Sequence, residues 1–163
     1  QACLALWESG QWIDDAWVSS GIVSSRSTDL GATWSPPTTL LAPRPEEGRS
    51  SFPRAATDGR GHWTAVWQTR STGDRDLDVW SSLSTDNGRT WSAPTPIHSE
   101  DPVDQAEDVF PVVAADGRGR WLVQWSRRAN VEGHVLLYRL SDLPRAWWRD
   151  IHVGVGITGS IPL

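Results

Sequence analysis

The sequence predicts an all-β fold assembled from copies of one unit of about four antiparallel strands. An eight-residue pattern, S-T-D-x-G-x-T-W, occurs at residues 27–34 and again, 57 positions later, at residues 84–91. Residues 52–63 and 110–121 share F-P, D-G-R-G and a closing Trp at a spacing of 58. Two independent motifs with nearly one period indicate a repeat architecture, and no stretch has the 3.6-residue periodicity of a helix.

Residues 52–97 define the unit best, because turn residues bound each predicted strand. Asp58-Gly59 supplies the positive φ of a tight turn. Trp63, Ala65 and Trp67 alternate along the strand that follows. The prolines of the last segment cannot donate to an inner ladder, so that strand belongs at an edge. In order, the predicted strands are Phe52–Thr57, His62–Gln68, Leu77–Leu83 and Trp91–Ile97.

Four antiparallel strands at this period are typical of a β-propeller blade, whereas a sandwich needs no long internal repeat. The fold prediction is therefore a partial β-propeller of about three four-stranded blades, a fragment of a six-bladed ring. We assign residues 1–41 to blade 1 without its first strand, 52–97 to blade 2, 110–152 to blade 3 and 153–163 to an irregular tail. In blade 3 the turn motif is degenerate, and Trp147 and Trp148 start the outer strand.

Three blades cannot close a ring, which takes about 4 to 8 of them. The chain also starts at Gln1 and contains neither Met nor Lys. We therefore expect a piece of a longer product with two open blade faces rich in Trp and aliphatic residues. Missing blades or self-association should cover these faces.

Composition narrows the function classes. The formal net charge is −5, whereas nucleic-acid binding needs a basic stripe, so no nucleic-acid partner is expected. No segment approaches the roughly 18 apolar residues of a membrane-spanning helix. The single Cys3 excludes an internal disulfide, and the four His lack zinc-ligand spacing. Asp74, Asp76 and Asp78 are spaced like calcium ligands but lack the Glu of an EF-hand loop. We expect neither metal nor cofactor.

The pattern S-x-D-x-G-x-T-W resembles the Asp box, or BNR repeat, of the sialidase superfamily. The Trp-Ser-x-Pro after each copy also resembles sialidases more than other Asp-box propellers. The resemblance covers about residues 4–152 and implies a six-bladed sialidase-like propeller. It makes the Asp box a structural hairpin on the face away from the active site. The matching residues are Ser27, Asp29, Gly31, Thr33, Trp34, Ser84, Asp86, Gly88, Thr90 and Trp91.

The functional face should carry the loops opposite these turns, because binding residues usually sit on loops over a rigid scaffold. We predict these loops at residues 8–21, 69–76 and 126–134 within blades and at 41–51 and 98–109 between blades. The resemblance implies three Arg that bind a sugar carboxylate, a Tyr nucleophile and an Asp acid/base. The chain offers Tyr138 alone, on a predicted third strand, where packing is its ordinary role.

The candidate site residues come from this face and each has a structural alternative. Glu107 and Asp108 could act as base or ligand, or belong to a solvated acidic loop. Arg54, in Phe-Pro-Arg, superficially resembles the Arg-Ile-Pro motif of sialidases. The remaining candidates, for ligand binding or for surface ion pairs, are Arg70, Asp76 and Arg127.

Two functions from different classes follow. The first is part of an extracellular or periplasmic sialidase-like glycoside hydrolase that acts on glycans or sialylated glycoconjugates. The second is a non-catalytic BNR-repeat propeller that binds glycans or proteins. An endo-glucanase propeller that acts on xyloglucan is a third reading, disfavoured by the Trp-Ser-x-Pro flanks. Catalytic activity stays open, because Tyr138 lies on a predicted third strand rather than a first strand and the chain has no Arg-Ile-Pro motif.

Overall fold

Antiparallel strands make up the protein in a computed structural model, which describes residues 2–42, 49–70, 77–97, 107–128, 134–142 and 156–157. Every regular element within these ranges is a strand, so the predicted all-β class is confirmed. The strands are β1 (Cys3–Ile13), β2 (Ala16–Ser27), β3 (Thr38–Leu41), β4 (Ser51–Thr57), β5 (Trp63–Arg70), β6 (Leu77–Ser84), β7 (Thr95–Pro96), β8 (Glu107–Ala115), β9 (Arg120–Arg128), β10 (His134–Asp142) and β11 (Gly156–Ile157).

Three sheets arise as meanders, in which each strand pairs with the next. Sheet I has the order β1–β2–β3, sheet II the order β4–β5–β6–β7, and sheet III the order β8–β9–β10–β11. All pairings are antiparallel. Short connections favour this topology, because consecutive antiparallel strands need only a hairpin between them.

Strand β5 explains how the sheets stack. Alternate residues of a strand point to opposite faces, so Trp63, Ala65 and Trp67 share one face, and Val66 and Gln68 share the other. All of these side chains are buried. A strand that is buried on both faces needs a sheet on each side, and sheet II therefore lies between sheets I and III.

Two apolar clusters join the sheets. The first lies between sheets I and II and contains Ile22, Leu40, Leu41, Ala65 and Trp67. The second lies between sheets II and III and contains Val66, Val79, Ile97, Val123 and Trp125. Strands β4 and β8, the first strands of their sheets, lie against each other. Sheets packed face to face, with their first strands side by side, are successive blades of a partial β-propeller.

The predicted loop at residues 8–21 is wrong. Here β1 and β2 continue as a paired ribbon, from Gly10 opposite Ser19 to Ile13 opposite Ala16, around a turn at Asp14 and Asp15. Both Asp residues have positive φ, 48° and 61°, a conformation that Asp adopts more readily than most residues. The sequence predicts that the two aspartates belong to a polar loop, whereas in the structure they form the two-residue turn of a hairpin. Four residue pairs make the ribbon roughly 13 Å long.

Other segments also differ from the prediction. The outer strand β7 has two residues, fewer than the predicted Trp91–Ile97, since prolines at 94 and 96 limit its ladder. Strands β8 and β9 extend into the predicted loops 98–109 and 126–134. The predicted irregular tail contains β11, which pairs with Leu136 and Val135 of β10. Trp147 and Trp148 lie outside the described residues.

Candidate functional site

The two S-T-D-x-G-x-T-W segments, here called turn 1 (residues 27–34) and turn 2 (residues 84–91), close the hairpins after β2 and β6. In turn 1 the Asp29 carboxylate accepts hydrogen bonds from Ser27 Oγ at 2.6 Å, from the Thr33 N–H at 2.9 Å and from Thr33 Oγ1. Ser27 Oγ in turn accepts the Gly31 N–H at 2.8 Å. The motif residues therefore satisfy one another within the turn.

Turn 2 repeats these contacts. The Asp86 carboxylate accepts Ser84 Oγ at 2.8 Å and the N–H and Oγ1 of Thr90 at 2.9 and 2.6 Å. Asn87 has a φ of 60° and the following Gly88 a φ of 76°, so the turn needs two left-handed residues in succession. Both carboxylates therefore bond within their own turn.

Hydrogen bonding lowers the pKa of both turn aspartates from 3.8 to about 2. For Asp29 the main cause is the Ser27 hydroxyl, followed by the Thr33 hydroxyl and N–H. For Asp86 burial acts in the opposite direction, but the Thr90 hydroxyl, the Thr90 N–H and Ser84 outweigh it. Hydrogen bonds to the charged form stabilise it, so both groups stay ionised at neutral pH as structural acceptors.

A second type of turn lies at the same end of the sheets. In the β4–β5 turn the Asp58 carboxylate accepts the Arg60 N–H at 2.8 Å and bonds to His62 Nδ1 at 2.5 Å. The Gly61 carbonyl accepts the Asn87 N–H of turn 2 at 2.8 Å, which brings the two turns of sheet II together. We call this the turn end of the propeller.

The opposite end carries a buried ion pair between two candidate residues. Arg127 donates from Nε to Asp108 Oδ1 and from Nη2 to Asp108 Oδ2, each at 2.9 Å. Asp108 is 2% exposed in its side chain and Arg127 21%. The equivalent cross-strand pair in sheet II is neutral, because Ser50 and Thr69 join hydroxyl to hydroxyl at 2.6 Å. Equivalent positions are thus occupied by a neutral pair in sheet II and by a charged pair in sheet III.

Strands β4 and β8 each contain a bulge at this end. The register places Phe52 and Pro53 opposite Trp67 alone, and Phe110 and Pro111 opposite Trp125 alone. Such an extra residue bends the strand and leaves its backbone out of the ladder. Phe52 and Phe110 have φ of 55° and 57°, a region that bulky residues rarely occupy.

The preceding sheet supplies the missing hydrogen bond of each bulge. The Phe52 N–H donates to Glu8 Oε1 of sheet I at 3.2 Å, and the Phe110 N–H donates to Gln68 Oε1 of sheet II at 2.8 Å. Glu8 also pairs with Arg49, whose Nη2 lies 3.1 Å from Glu8 Oε2. Each bulge is therefore fixed by a side chain from the neighbouring blade.

The two phenylalanine rings meet between sheets II and III. Their centroids are 5.1 Å apart and their planes are 87° apart, an edge-to-face contact. Phe52 is nevertheless 41% exposed and Phe110 49%. We call the group of Glu8, Arg49, Phe52, Phe110 and the Asp108–Arg127 pair the inner rim. It combines exposed aromatic surface with fixed charges.

The other predicted candidates are more scattered. Glu107 is half-buried at the start of β8, and Arg70 is half-buried at the end of β5, opposite Leu77. Arg54 is exposed on β4, where its Nη1 donates to the Pro53 carbonyl at 2.9 Å. Asp76 lies outside the described residues. Tyr138 lies on β10, the third strand of its sheet, opposite Gln124. The structure describes the backbone of Tyr138 and not its side chain.

Sequence reasoning missed the residues that organise the inner rim. The sequence marks Phe52 and Phe110 as parts of a repeat and gives them no role. Glu8 and Gln68 lie outside the predicted site residues, although each directly follows a repeated tryptophan, Trp7 or Trp67. A polar residue of similar shape at that position in successive units is the signal that could have found them.

The described part of the chain contains neither clustered metal ligands nor a membrane-spanning helix. There, no group of three or more His, Cys, Asp or Glu side chains is placed to hold a metal ion. None of the described segments forms a helix long and apolar enough to cross a membrane.

Comparison with known proteins gives likeness in structure alone. A scan of protein-family models and a search of curated proteins each gave no match. Among solved structures, a Penicillium chrysogenum α-L-arabinanase complexed with arabinobiose matches 93% of this chain at 17% identity, with a TM-score of 0.59. The Hadza microbial sialidase Hz136 matches 74% at 20% identity, with a TM-score of 0.54. The NanB sialidase from Streptococcus pneumoniae matches 89% at 17% identity, with a TM-score of 0.50.

The chain spans less than half of each of these structures, 44%, 29% and 22% of their respective lengths. At such low identity the likeness concerns the fold. It shows that the stacked sheets of this chain have a propeller fold, as these structures do.

Proposed function

We propose that the chain is part of a sialidase-like Asp-box (BNR-repeat) propeller that acts on carbohydrates, as a glycoside hydrolase of the cell exterior or periplasm. The observation that carries the proposal is the chemical difference between the two ends of the sheets. At the turn end, Asp29 and Asp86 bond to their own turns. At the other end, aromatic and charged side chains from all three sheets converge on the inner rim.

The inner rim has the chemistry that sugar recognition requires. Hydroxyl groups need donors and acceptors in fixed positions, and the Glu8–Arg49 pair supplies both. The buried Asp108 carboxylate holds the half-buried Arg127 guanidinium, a further donor, in place. A ligand site usually combines apolar or aromatic lining with a few placed polar groups. The structurally similar arabinanase and sialidases support carbohydrate as the substrate class.

A non-catalytic glycan-binding propeller is the second candidate, and one observation favours it. Asp108 and Arg127 hold each other in a two-bonded pair, which suits a positioning role better than proton transfer. In this reading the rim binds sugar and no bond is cleaved.

Two assays on the full chain separate the candidates. One measures hydrolysis of a fluorogenic sialoside and a fluorogenic arabinoside, and the other measures binding of sialyllactose and arabinobiose by calorimetry. Turnover that the double variant Asp108→Ser/Arg127→Thr abolishes supports the hydrolase, whereas saccharide binding without turnover supports the module. The absence of both turnover and saccharide binding would overturn the proposal.

Further blades, or a second copy of the chain, are proposed to cover the face of sheet I that points away from sheet II. Trp7 on this face is 37% exposed, whereas the equivalent Trp67 of sheet II is fully buried. Trp34 of turn 1 is also exposed, whereas Trp91 of turn 2 packs against the cluster between sheets I and II.

A further inference from the structure

We propose that Phe52 and Phe110 form a stacking platform for a sugar ring, so that the inner rim recognises its glycan through aromatic contact as well as through charge. The inference rests on the proposed function and assigns a role to two residues that the sequence marked only as a repeat.

The first support is backbone strain at both residues. A non-glycine residue in the left-handed region costs about 1 to 2 kcal/mol relative to its ordinary conformation, and glycine avoids most of this cost. The same bulge in sheets II and III nevertheless carries phenylalanine, at φ of 55° and 57°. Strained residues persist where the surroundings fix them, and they cluster at functional sites. The repetition indicates that the ring itself is needed.

The second support is exposure combined with rigidity. Phe52 and Phe110 remain 41% and 49% exposed as residues although their rings touch each other. An edge-to-face pair uses the edge of one ring and one face of the other, so further ring surface stays open to a ligand. The bulge backbone is fixed by Glu8 and Gln68 from the preceding sheets. A preorganised aromatic surface binds with little loss of conformational freedom.

The third support is the chemistry around the rings. A sugar ring presents C–H groups on its faces and hydroxyls at its edge, so it needs an aromatic face beside hydrogen-bonding groups. Glu8 bonds to the Phe52 backbone and to Arg49, and Asp108 lies two residues before Phe110 in β8. A lipid surface would instead need a continuous apolar patch. The surroundings therefore favour a saccharide.

The test compares glycine substitutions at matched positions. Phe52→Gly and Phe110→Gly relieve the left-handed strain and remove the rings. Leu30→Gly is the control, because Leu30 in turn 1 has a φ of 60° and an exposed side chain at the turn end. Phe52→Tyr and Phe110→Tyr keep the rings. Binding of arabinobiose and of sialyllactose is measured by calorimetry, and the melting temperature is measured for each variant.

We expect each Phe→Gly variant to weaken saccharide binding about tenfold or more, as truncation of an aromatic anchor does. We expect the Tyr variants and Leu30→Gly to bind as the parent does, and no Phe→Gly variant to melt markedly lower than Leu30→Gly. Parent-like binding by Phe52→Gly/Phe110→Gly would overturn the platform and leave the proposed function standing. So would a large loss of melting temperature confined to the Phe variants, because the rings would then be structural.

Failure of the parent chain both to bind either saccharide and to hydrolyse either glycoside would remove the proposed function, and the platform with it. Binding of peptides in place of saccharides would have the same effect.

Discussion

The side-chain carbonyl of Gln68 in sheet II accepts the backbone N–H of Phe110 in sheet III at 2.8 Å. Glu8 of sheet I does the same for Phe52 of sheet II at 3.2 Å. The blades are thus joined by a repeated polar contact as well as by their apolar clusters. This contact holds the bulge of the next blade, and so it couples the stacking of the sheets to the shape of the inner rim.

Gln68→Leu should destabilise the protein by about 1 to 3 kcal/mol, because the Phe110 N–H loses its acceptor in a half-buried position. Glu8→Gln is the matched control, since glutamine keeps an acceptor for Phe52 and should cost less. Urea-denaturation midpoints measure both effects. Equal stability of Gln68→Leu and the parent would mean that the contact contributes nothing.

Two equivalent tryptophans should respond differently to truncation. Trp67→Ala removes a fully buried side chain between sheets I and II and should cost about 3 to 5 kcal/mol. Trp7→Ala removes a side chain that is 37% exposed and should cost much less. Chemical denaturation of the two variants at low protein concentration gives the comparison. Similar losses would show that the face of sheet I is covered in solution.

Acid should weaken the protein through its turn aspartates. Asp29, Asp86 and Asp116 each have a pKa lowered to about 2 in the folded state, whereas an unfolded Asp titrates near about 3.9. The unfolded chain therefore takes up protons first, and the stabilisation is present above about pH 4 and is lost as the pH falls towards 2. For Asp116 the cause is the Arg118 N–H and then the Arg120 side chain.

Asp86→Asn tests this linkage. The variant should be less stable than the parent at neutral pH, and its stability should fall less steeply between about pH 4 and pH 2, because one linked group is gone. Urea midpoints across this range supply the slopes. Identical slopes for the two proteins would contradict the assignment.

Gly21 should tolerate no side chain. It has a φ of 118°, and a Cβ placed there would lie 2.0 Å from the carbonyl oxygen of Leu41 in β3. Gly21→Ala should cost about 3 kcal/mol or more, since the clash adds to the strain. Gly59→Ala is the control, with a φ of 74° and open space around the added methyl, and should cost about 1 kcal/mol. Thermal unfolding ranks the two, and the reverse order would rule out the close approach of β2 and β3.

The repeat made the fold class and the turns predictable. The hydrogen bonds of the pattern S-T-D-x-G-x-T-W lie within eight residues, so the positions of turn 1 and turn 2 could be predicted from sequence alone. The alternation of Trp63, Ala65 and Trp67 likewise predicted a half-buried strand, whereas the burial of its second face in the structure depends on a neighbouring sheet. These features depend on neighbours in sequence, which is why sequence reasoning reached them.

The inner rim depends on contacts between strands and between sheets, and the sequence alone does not predict such contacts. Asp108 and Arg127 were separate candidates, and their ion pair depends on the β8–β9 register. The bulges that turn Phe52 and Phe110 outward break the period-2 pattern, so alternation could not predict their exposure. The sequence predicts a loop at residues 8–21 in place of the ribbon at residues 10–19, because the turn of the ribbon consists of two aspartates rather than a glycine motif.

The most direct test of the central claim, that successive sheets are equivalent blades, transplants one cross-strand pair into the next sheet. Asp108→Ser and Arg127→Thr together give sheet III the Ser50–Thr69 pair of sheet II. Each single substitution should destabilise, Arg127→Thr by about 3 kcal/mol or more, because it leaves the buried Asp108 carboxylate without its partner. The double variant should unfold within about 1 kcal/mol of the parent, since the two sites interact directly. A double variant whose loss equals the sum of the single losses would contradict the equivalence of the blades.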